Sequence, residues 1–483
     1  MARGSFFNAG SILTIGYAAE HVLLFVRILL VARFLGPEYF GISVTFLLIV
    51  STFQLLSDLG FEKYVIQARE PDYLRSRDTL ATLILVRGLL MGASIILLAH
   101  TIAGLFGYPD IAWFYAIAAV IPIIEGFRHI DPLAQQRQMQ FAPFVMSQLG
   151  GMVPGVLLTI VLAYATQNYV AIAAGCALTS LVTVILSHLL ATRPYRLGLD
   201  RPALRDILVY GWPLLLNGIV IFLSTQGDRI VVGALAGMRD LAGYAAMAAV
   251  TGSAAVLFNR ICTNLLLPLL SEARDDPGLY VARARTTAAG TFLAVSLFLF
   301  PIATLGGPLV FLLFGDGYYT SPLLAAFLTV VASSVVVRSW CNANLLSLGG
   351  TRDILMANIL RAGGLALAFA ALRAGYGIVG VAAGICAGDV AASCLANWRV
   401  ATRVPAIART CALLAGALLA GAALLIAVNS RLDPFADPIT TLAVVVLTTL
   451  PWAAAVLALS RDLRGRIAVV WETARERLGW PAG

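Results

Sequence analysis

Several ionisable side chains fall inside stretches that are otherwise apolar: Arg27, Arg33, Arg87, Arg229, Arg260, Arg338 and Arg361, with Glu20, Glu125, Asp228 and Asp389. A charge at the middle of a bilayer costs about 2.5–3.5 kcal/mol on insertion scales. Facing lipid, this set would be prohibitive. Its members must therefore line a hydrated cavity, pair with one another, or reach an interface along their own aliphatic stems. Arginines outnumber acids among them. A guanidinium grips phosphate or pyrophosphate in a planar fork, so the set predicts a cationic lumen for such an anion.

Helical spacing sorts the candidates. Glu20 and Arg27 are seven apart, near two turns, and share a face of one helix. Their rise of about 10 Å excludes a direct ion pair. Asn217, Ser224 and Asp228 form one mostly polar stripe, and Ser253, Arg260 and Asn264 form another. Ser334, Arg338 and Asn342 repeat every four residues, as do Asp389, Ser393 and Asn397; Asn358 and Arg361 are three apart. The expected cationic lining is Arg27, Arg87, Arg260, Arg338 and Arg361, with Asn217, Ser224, Asn264 and Asn342 as polar lining. On this reading Arg338→Ala lowers export more than it lowers protein level. Competing readings stay open. Asp389 with Arg338 or Arg361 also reads as a structural ion pair. Asp228 and Arg229 read as a gate pair or as an interfacial anchor. Arg33, Asp58 and Glu125 lie near span ends, where snorkelling or capping is the simpler account. Ser and Asn also glue helices together without any further role.

The elements that must position these groups are membrane spans. The chain has 483 residues, 60% hydrophobic and 12% charged. A soluble chain carries about twice that charge fraction. Fourteen apolar segments approach the roughly twenty residues a span needs: about 11–35, 40–61, 79–106, 111–128, 142–165, 168–191, 208–232, 241–270, 286–314, 322–347, 354–372, 377–398, 410–429 and 438–460. The expected fold is an all-α polytopic membrane protein. With a cytoplasmic N-terminus, inside segments hold 23 of the Lys and Arg residues, and outside loops hold only Arg239, Arg373 and Arg431. That bias places both termini inside. The net charge of +8 is then a matter of topology, and no nucleic-acid partner is implied.

The chain also reads as doubled. Arg27 lies fourteen residues before Gly41, and Arg229 fourteen before Gly243. Six spans precede the linker "TRPYRLGLDRPALRD" (192–206) and six follow it, then a final pair. Even numbers of spans make parallel repeats. The expected domains are an N-lobe over 1–200, a C-lobe over 201–402, and a C-terminal helix pair with a cytoplasmic tail over 403–483. Pro122, Gly150, Gly151, Pro154, Pro213, Pro268, Pro301, Gly306, Gly307 and Pro308 interrupt spans and are candidate hinges. The six cysteines lie inside apolar segments without a CxxC spacing and read as packing residues. Four histidines offer no metal-ligand cluster. Glu20 and His21 interrupt the first apolar run, so it reads as a retained span and not as a cleaved signal.

"RFLGPEYFG" (33–41), "DLG" ending the second span, "YGWPLLLNGIVIFLSTQGDRIVVG" and "LAGYAAM" together resemble the polysaccharide-biosynthesis flippases of the multidrug/oligosaccharidyl-lipid/polysaccharide exporter superfamily. The resemblance covers roughly residues 10–400. It implies two six-helix lobes in a V around a central cavity and alternating access. It also implies an undecaprenyl-pyrophosphate-linked oligosaccharide moved to the periplasmic leaflet of the bacterial inner membrane. By position it transfers only Asp228 and Arg229. Coupling to H+ or Na+ is common in the superfamily, with Glu20, His21 and Asp389 as candidate couplers here. No catalytic residue, metal or cofactor is expected, and the chain is read as a monomer working with membrane lipids, a polysaccharide polymerase and other assembly proteins. Cation efflux on the same fold is the alternative, and predicts an acid-dominated cavity. A membrane polymerase is disfavoured, since every expected outer loop is short and poor in His, Asp and Glu.

Overall fold

The computed structural model describes residues 2–68, 70–318, 321–431 and 441–450. Within these, the side chains of 2–14, 254, 257, 261, 264, 265, 298 and 299 are not described. All regular structure among the described residues is helical. The chain opens with α1 (Ala2–Leu56), α2 (Phe61–Gln67), α3 (Glu70–Leu105), α4 (Ala112–Ile117), α5 (Val120–Glu125) and α6 (Asp131–Ala134). There follow α7 (Ala142–Thr166), α8 (Val170–Leu189), α9 (Arg201–Leu235), α10 (Met238–Ile261), α11 (Leu267–Glu272) and α12 (Pro277–Ala294). Then come α13 (Phe300–Phe314), α14 (Pro322–Ser347), α15 (Thr351–Arg373), α16 (Gly377–Arg403) and α17 (Ala408–Asn429), with a short apolar helix at Thr441–Leu450.

Ten helices among the described residues are long and apolar enough to cross a membrane, against the fourteen expected segments. The differences have local causes. The first two expected spans run on as α1, parted only by a kink at Gly36. Gly36 adopts φ 72°, ψ 171°, a conformation closed to residues with a Cβ, and Pro37 restarts the helix. The fourth expected span is broken into α4 and α5. The eighth begins as α10 and continues through the turn at 262–266 into α11, and most of the fourteenth lies outside the described residues. The outward face of α3 carries Leu89, Leu90, Ile96 and Leu97, the last 82% exposed, which only lipid can cover. This is a multi-pass membrane protein.

The molecule packs as two units. Unit 1 is Met1–Ala246 with Leu313–Tyr318; unit 2 is Met247–Leu312 with Tyr319–Gly483, as far as that stretch is described. The 192–206 linker divides the chain by span count, but packing divides it within α10.

Each unit contains the same small-residue crossing. In unit 1, α7 meets α8 where Gly151 and Gly155 face Gly175, Thr179 and Thr183. A Cβ at Gly155 would strike the carbonyl of Gly175. In unit 2, α15 meets α16 at Gly364, Gly384 and Gly388, and a Cβ at Gly388 would strike the backbone of Gly364. Glycines four apart let helix backbones touch in the absence of a hydrophobic drive. These are the fifth and sixth expected spans of each half.

Unit 2 is organised around α14, 78% of whose most apolar stretch is buried. Trp340 Nε1 donates to Thr287 Oγ1 at 3.1 Å, and the Tyr280 hydroxyl donates to Asn344 Oδ1 at 3.1 Å. Of the expected hinges, Pro268 and Pro301 follow π-helical turns at 262–266 and 295–299. Each turn holds the residue four positions before its proline, whose ring would clash with that carbonyl in a regular helix. Pro154 and Pro213 lie inside the continuous helices α7 and α9.

Candidate functional site

Unit 1 holds a cavity of about 570 Å³. Its wall is assembled from the end of α1, the turn into α2, α3, α5, the segment leading to α6, and Gln148 of α7. The turn is the "DLG" stretch. Asp58 Oδ1 accepts from Gly60 N at 2.8 Å, and Gly60 sits in the left-handed region at φ 66°. That geometry folds α2 back, so that Glu62 and Lys63 reach the cavity. Opposite them, α3 crosses α5 at Gly88 and Gly126. A Cβ on Gly88 would strike the Pro122 carbonyl, so the close approach sets Arg87 and Glu125 on one wall.

Arg87 is half-buried and fixed. Its Nε donates to Ser57 Oγ at 3.0 Å and its Nη2 to the Gln54 carbonyl at 2.9 Å. Gln54 lies in the last turn of α1, where carbonyls lack helical partners, so the guanidinium also caps that helix end. With Nε and Nη2 engaged, Nη1 has no protein partner among the described residues. The expected two-pronged grip is thus reduced to one free donor edge. Glu125 lies half-buried beside it. Gln54 Nε2 donates to its Oε2 at 3.1 Å and Ser180 Oγ to its Oε1 at 3.1 Å. Arg128 completes this side, 3.6 Å from Glu62 and stacked over the Phe144 ring at 5.6 Å.

The lining contains three cations, Lys63, Arg87 and Arg128, and three carboxylates, Asp58, Glu62 and Glu125. The arginine excess counted over the spans does not carry over to this cavity, which is balanced. His129 also lines it. Its ring packs edge-on to His188, with centroids 5.2 Å apart, and lies 5.5 Å from the Tyr195 ring. His129 follows α5 in a loop. Burial, and then the His188 ring, push its imidazole below the ordinary value. Its Nδ1 accepts from Asp131 N at 3.1 Å, and its Nε2 is buried without a partner among the described residues.

Arg87 is thus the expected lining residue found on this wall. Arg27 is 7% exposed and lies outside the lining; its Nη1 donates to Cys176 Sγ at 3.6 Å, across to α8. Cys176 is therefore more than a filler. Arg338 is not on an open wall either. Its Nη1 donates to Asp389 Oδ1 at 2.7 Å, and Arg361 Nε lies 2.9 Å from the same oxygen. Asp389 is 0% exposed. The Gly364–Gly388 crossing brings Arg361 beside Asp389, so the triad is an ion cluster inside a helix package. The α14 and α16 stripes, expected to face a cavity, face each other: Ser393 Oγ donates to the Ser334 carbonyl at 3.0 Å.

The remaining candidates scatter. Asp228 Oδ2 accepts from the Tyr244 hydroxyl at 2.7 Å, and Arg229 Nη1 donates to Gln226 Oε1 at 3.2 Å, so these neighbours point apart. Glu20 and His21 are half-buried, and His21 Nδ1 has no partner among the described residues. Arg260 is exposed, Asn217 is half-buried, and Ser224 Oγ donates to its own helix at Val220. Among the described residues Asn342 Oδ1 is buried without a partner, and the side chain of Asn264 lies outside them. Sequence reasoning missed Lys63, Arg128 and Gln54 as lining. The first two read as loop charges, and only the tight Asp58–Gly60 turn could have signalled the return of the chain to the cavity.

A family model described as polysaccharide biosynthesis protein matches residues 30–322. The lipopolysaccharide biosynthesis protein WzxC of Escherichia coli (strain K12) is 24% identical over 257 residues, 52% of this chain and 51% of WzxC. An uncharacterized membrane protein in the cps region of Klebsiella pneumoniae is 24% identical over 262 residues, 53% of each chain. The chain thus spans about half the length of the curated relatives it matches. Among solved structures, lipid II flippase MurJ in an inward closed conformation aligns with TM-score 0.69 at 14% identity, covering 92% of this chain and 99% of MurJ. An inward-facing multidrug resistance MATE family transporter of the MOP superfamily aligns with TM-score 0.59 at 16% identity, covering 80% of this chain and 95% of the transporter. These two structures establish likeness of fold.

Proposed function

The chain belongs to the polysaccharide biosynthesis protein family, and on that premise we propose that it is a flippase for a lipid-linked oligosaccharide. The substrate is an undecaprenyl-pyrophosphate-linked unit for exopolysaccharide, capsule or O-antigen. It crosses the bacterial inner membrane by alternating access, with both termini of the protein cytoplasmic. The observation that carries the reading is Arg87, whose guanidinium is held on the cavity wall with one donor edge that meets no partner among the described residues. WzxC, by its name a lipopolysaccharide biosynthesis protein, and MurJ, a lipid II flippase, support it from sequence and fold. The role is transport, without a catalytic step. Deleting the gene tests the reading: the lipid-linked unit should accumulate in the cytoplasmic leaflet, and an unchanged leaflet distribution overturns it.

A second reading has its own support. The three carboxylates in the lining suit a cationic solute, and the MATE transporter shares the fold. Cation efflux predicts that deletion raises susceptibility across a panel of cationic drugs and leaves the lipid-linked unit where it was.

A further inference from the structure

We propose that Glu125 takes up a proton when a diphosphate enters the unit 1 cavity; this rests on the anionic-substrate reading above. The lining balances three cations, Lys63, Arg87 and Arg128, against three carboxylates, Asp58, Glu62 and Glu125. A diphosphate diester brings two negative charges into a site of no net charge. Closing a membrane cavity over two uncompensated charges is costly, and one added proton halves that excess.

Among the three carboxylates, Glu125 is the one placed to take the proton. Asp58 is committed to the Gly60 turn, and Glu62 is 66% exposed and beside Arg128. Water screens Glu62 from an arriving anion, and an ion pair favours its charged form. Glu125 is in no ion pair among the described residues, and its hydrogen-bond donors, Gln54 and Ser180, are both neutral. Both partners tolerate a neutral acid. The Ser180 hydroxyl can accept as well as donate, so it can turn to receive the proton of the acid. The charged and titratable groups around Glu125 come from every side: Arg87 on α3, Arg128 and His129 after α5, and Cys176, with Arg27 behind it, one turn before Ser180 on α8. A dianion beside Arg87 and Arg128 offsets their hold on the Glu125 charge, which favours the neutral acid. By linkage the proton then tightens the anion by the same factor as the anion tightens the proton.

The test uses the full chain in nanodiscs and, as probe, geranyl-diphospho-N-acetylglucosamine, a diester whose two charges are fixed between about pH 6 and pH 8. Wild-type affinity should rise as pH falls, by at most about tenfold per pH unit for one linked proton. Binding enthalpy should differ between buffers in the sense of proton uptake. In E125Q both dependences should vanish while binding persists. Should E125Q not fold, S180A carries the test: it removes a donor to the charged form, so the midpoint should move to higher pH, and an unmoved midpoint overturns the inference. Wild-type binding that is independent of pH overturns it, as does a slope that survives in E125Q or is lost instead in H129Q. If the wild type does not bind the probe at any pH, the anionic-substrate reading fails, and the inference falls with it.

Discussion

Arg87 and Arg338 look alike in the sequence, each a guanidinium deep in an apolar run, and the structure gives them opposite surroundings. Arg87 meets neutral acceptors and a cavity; Arg338 meets a carboxylate in a buried helix interface. Removing Arg87 should therefore cost binding before folding. R87A is expected to weaken diphosphate-probe binding by about ten- to a hundredfold, the worth of one charge-assisted hydrogen bond, while membrane protein level stays near wild type. Quantitative blotting beside a binding isotherm separates the two. Removing Asp389 leaves two guanidinium groups buried without their counterion. D389N should destabilise the fold by about 3–5 kcal/mol, read as a lowered melting temperature in detergent, and R338A should lower folded protein and export together. For His129 the sign follows from its depressed proton affinity. Below the unfolded value of about 6.5 the unfolded chain binds the proton more readily, so stability should fall as pH drops from 7 to 5. H129Q should flatten that slope in a thermal-shift series.

At the scale of helices, glycine spacing decides more than the apolar count. The Gly151–Gly155 and Gly384–Gly388 pairs were legible as sequence but not as contacts, because spacing alone does not say which neighbouring helix they face. G388V should abolish folded protein, since its branched side chain would enter the backbone of Gly364. Gly416 in α17 has open space around it, so G416A should be tolerated, with a gain of about 1 kcal/mol at most. Detergent-resistant folded fraction distinguishes the pair. The spans themselves were largely readable, because bilayer thickness imposes a length that hydropathy reports directly. The break at Gly36 and Pro37 fell in the gap between the first two expected spans; what the sequence did not show is that the helix resumes at once, so that both spans form one kinked helix. The polar stripes misled for a related reason. Three- and four-residue spacing identifies a shared helix face, and whether that face meets water or another helix depends on a partner far away in the chain.

At the scale of the whole chain, the family signal was carried by short motifs that are structural in origin. The Gly36–Pro37 kink, the Asp58–Gly60 turn and the approach of Gly41 to the Met238 backbone all shape unit 1. The charge balance of the cavity was hidden, because its lining is gathered from loop and span residues spread between Ser51 and Gln148. The packing seam within α10 has a practical meaning for recombination. The helix α9 (Arg201–Leu235) starts within the linker and opens the second set of six expected spans, yet packs in unit 1, so a hybrid gene joined at residue 200 would hand α9 a foreign set of neighbours. Crossovers placed near Ala246 keep α9 with its unit 1 neighbours and exchange only Leu313–Tyr318 of that unit, so a library of hybrids with a distant relative should show folded members enriched at that junction over residue 200.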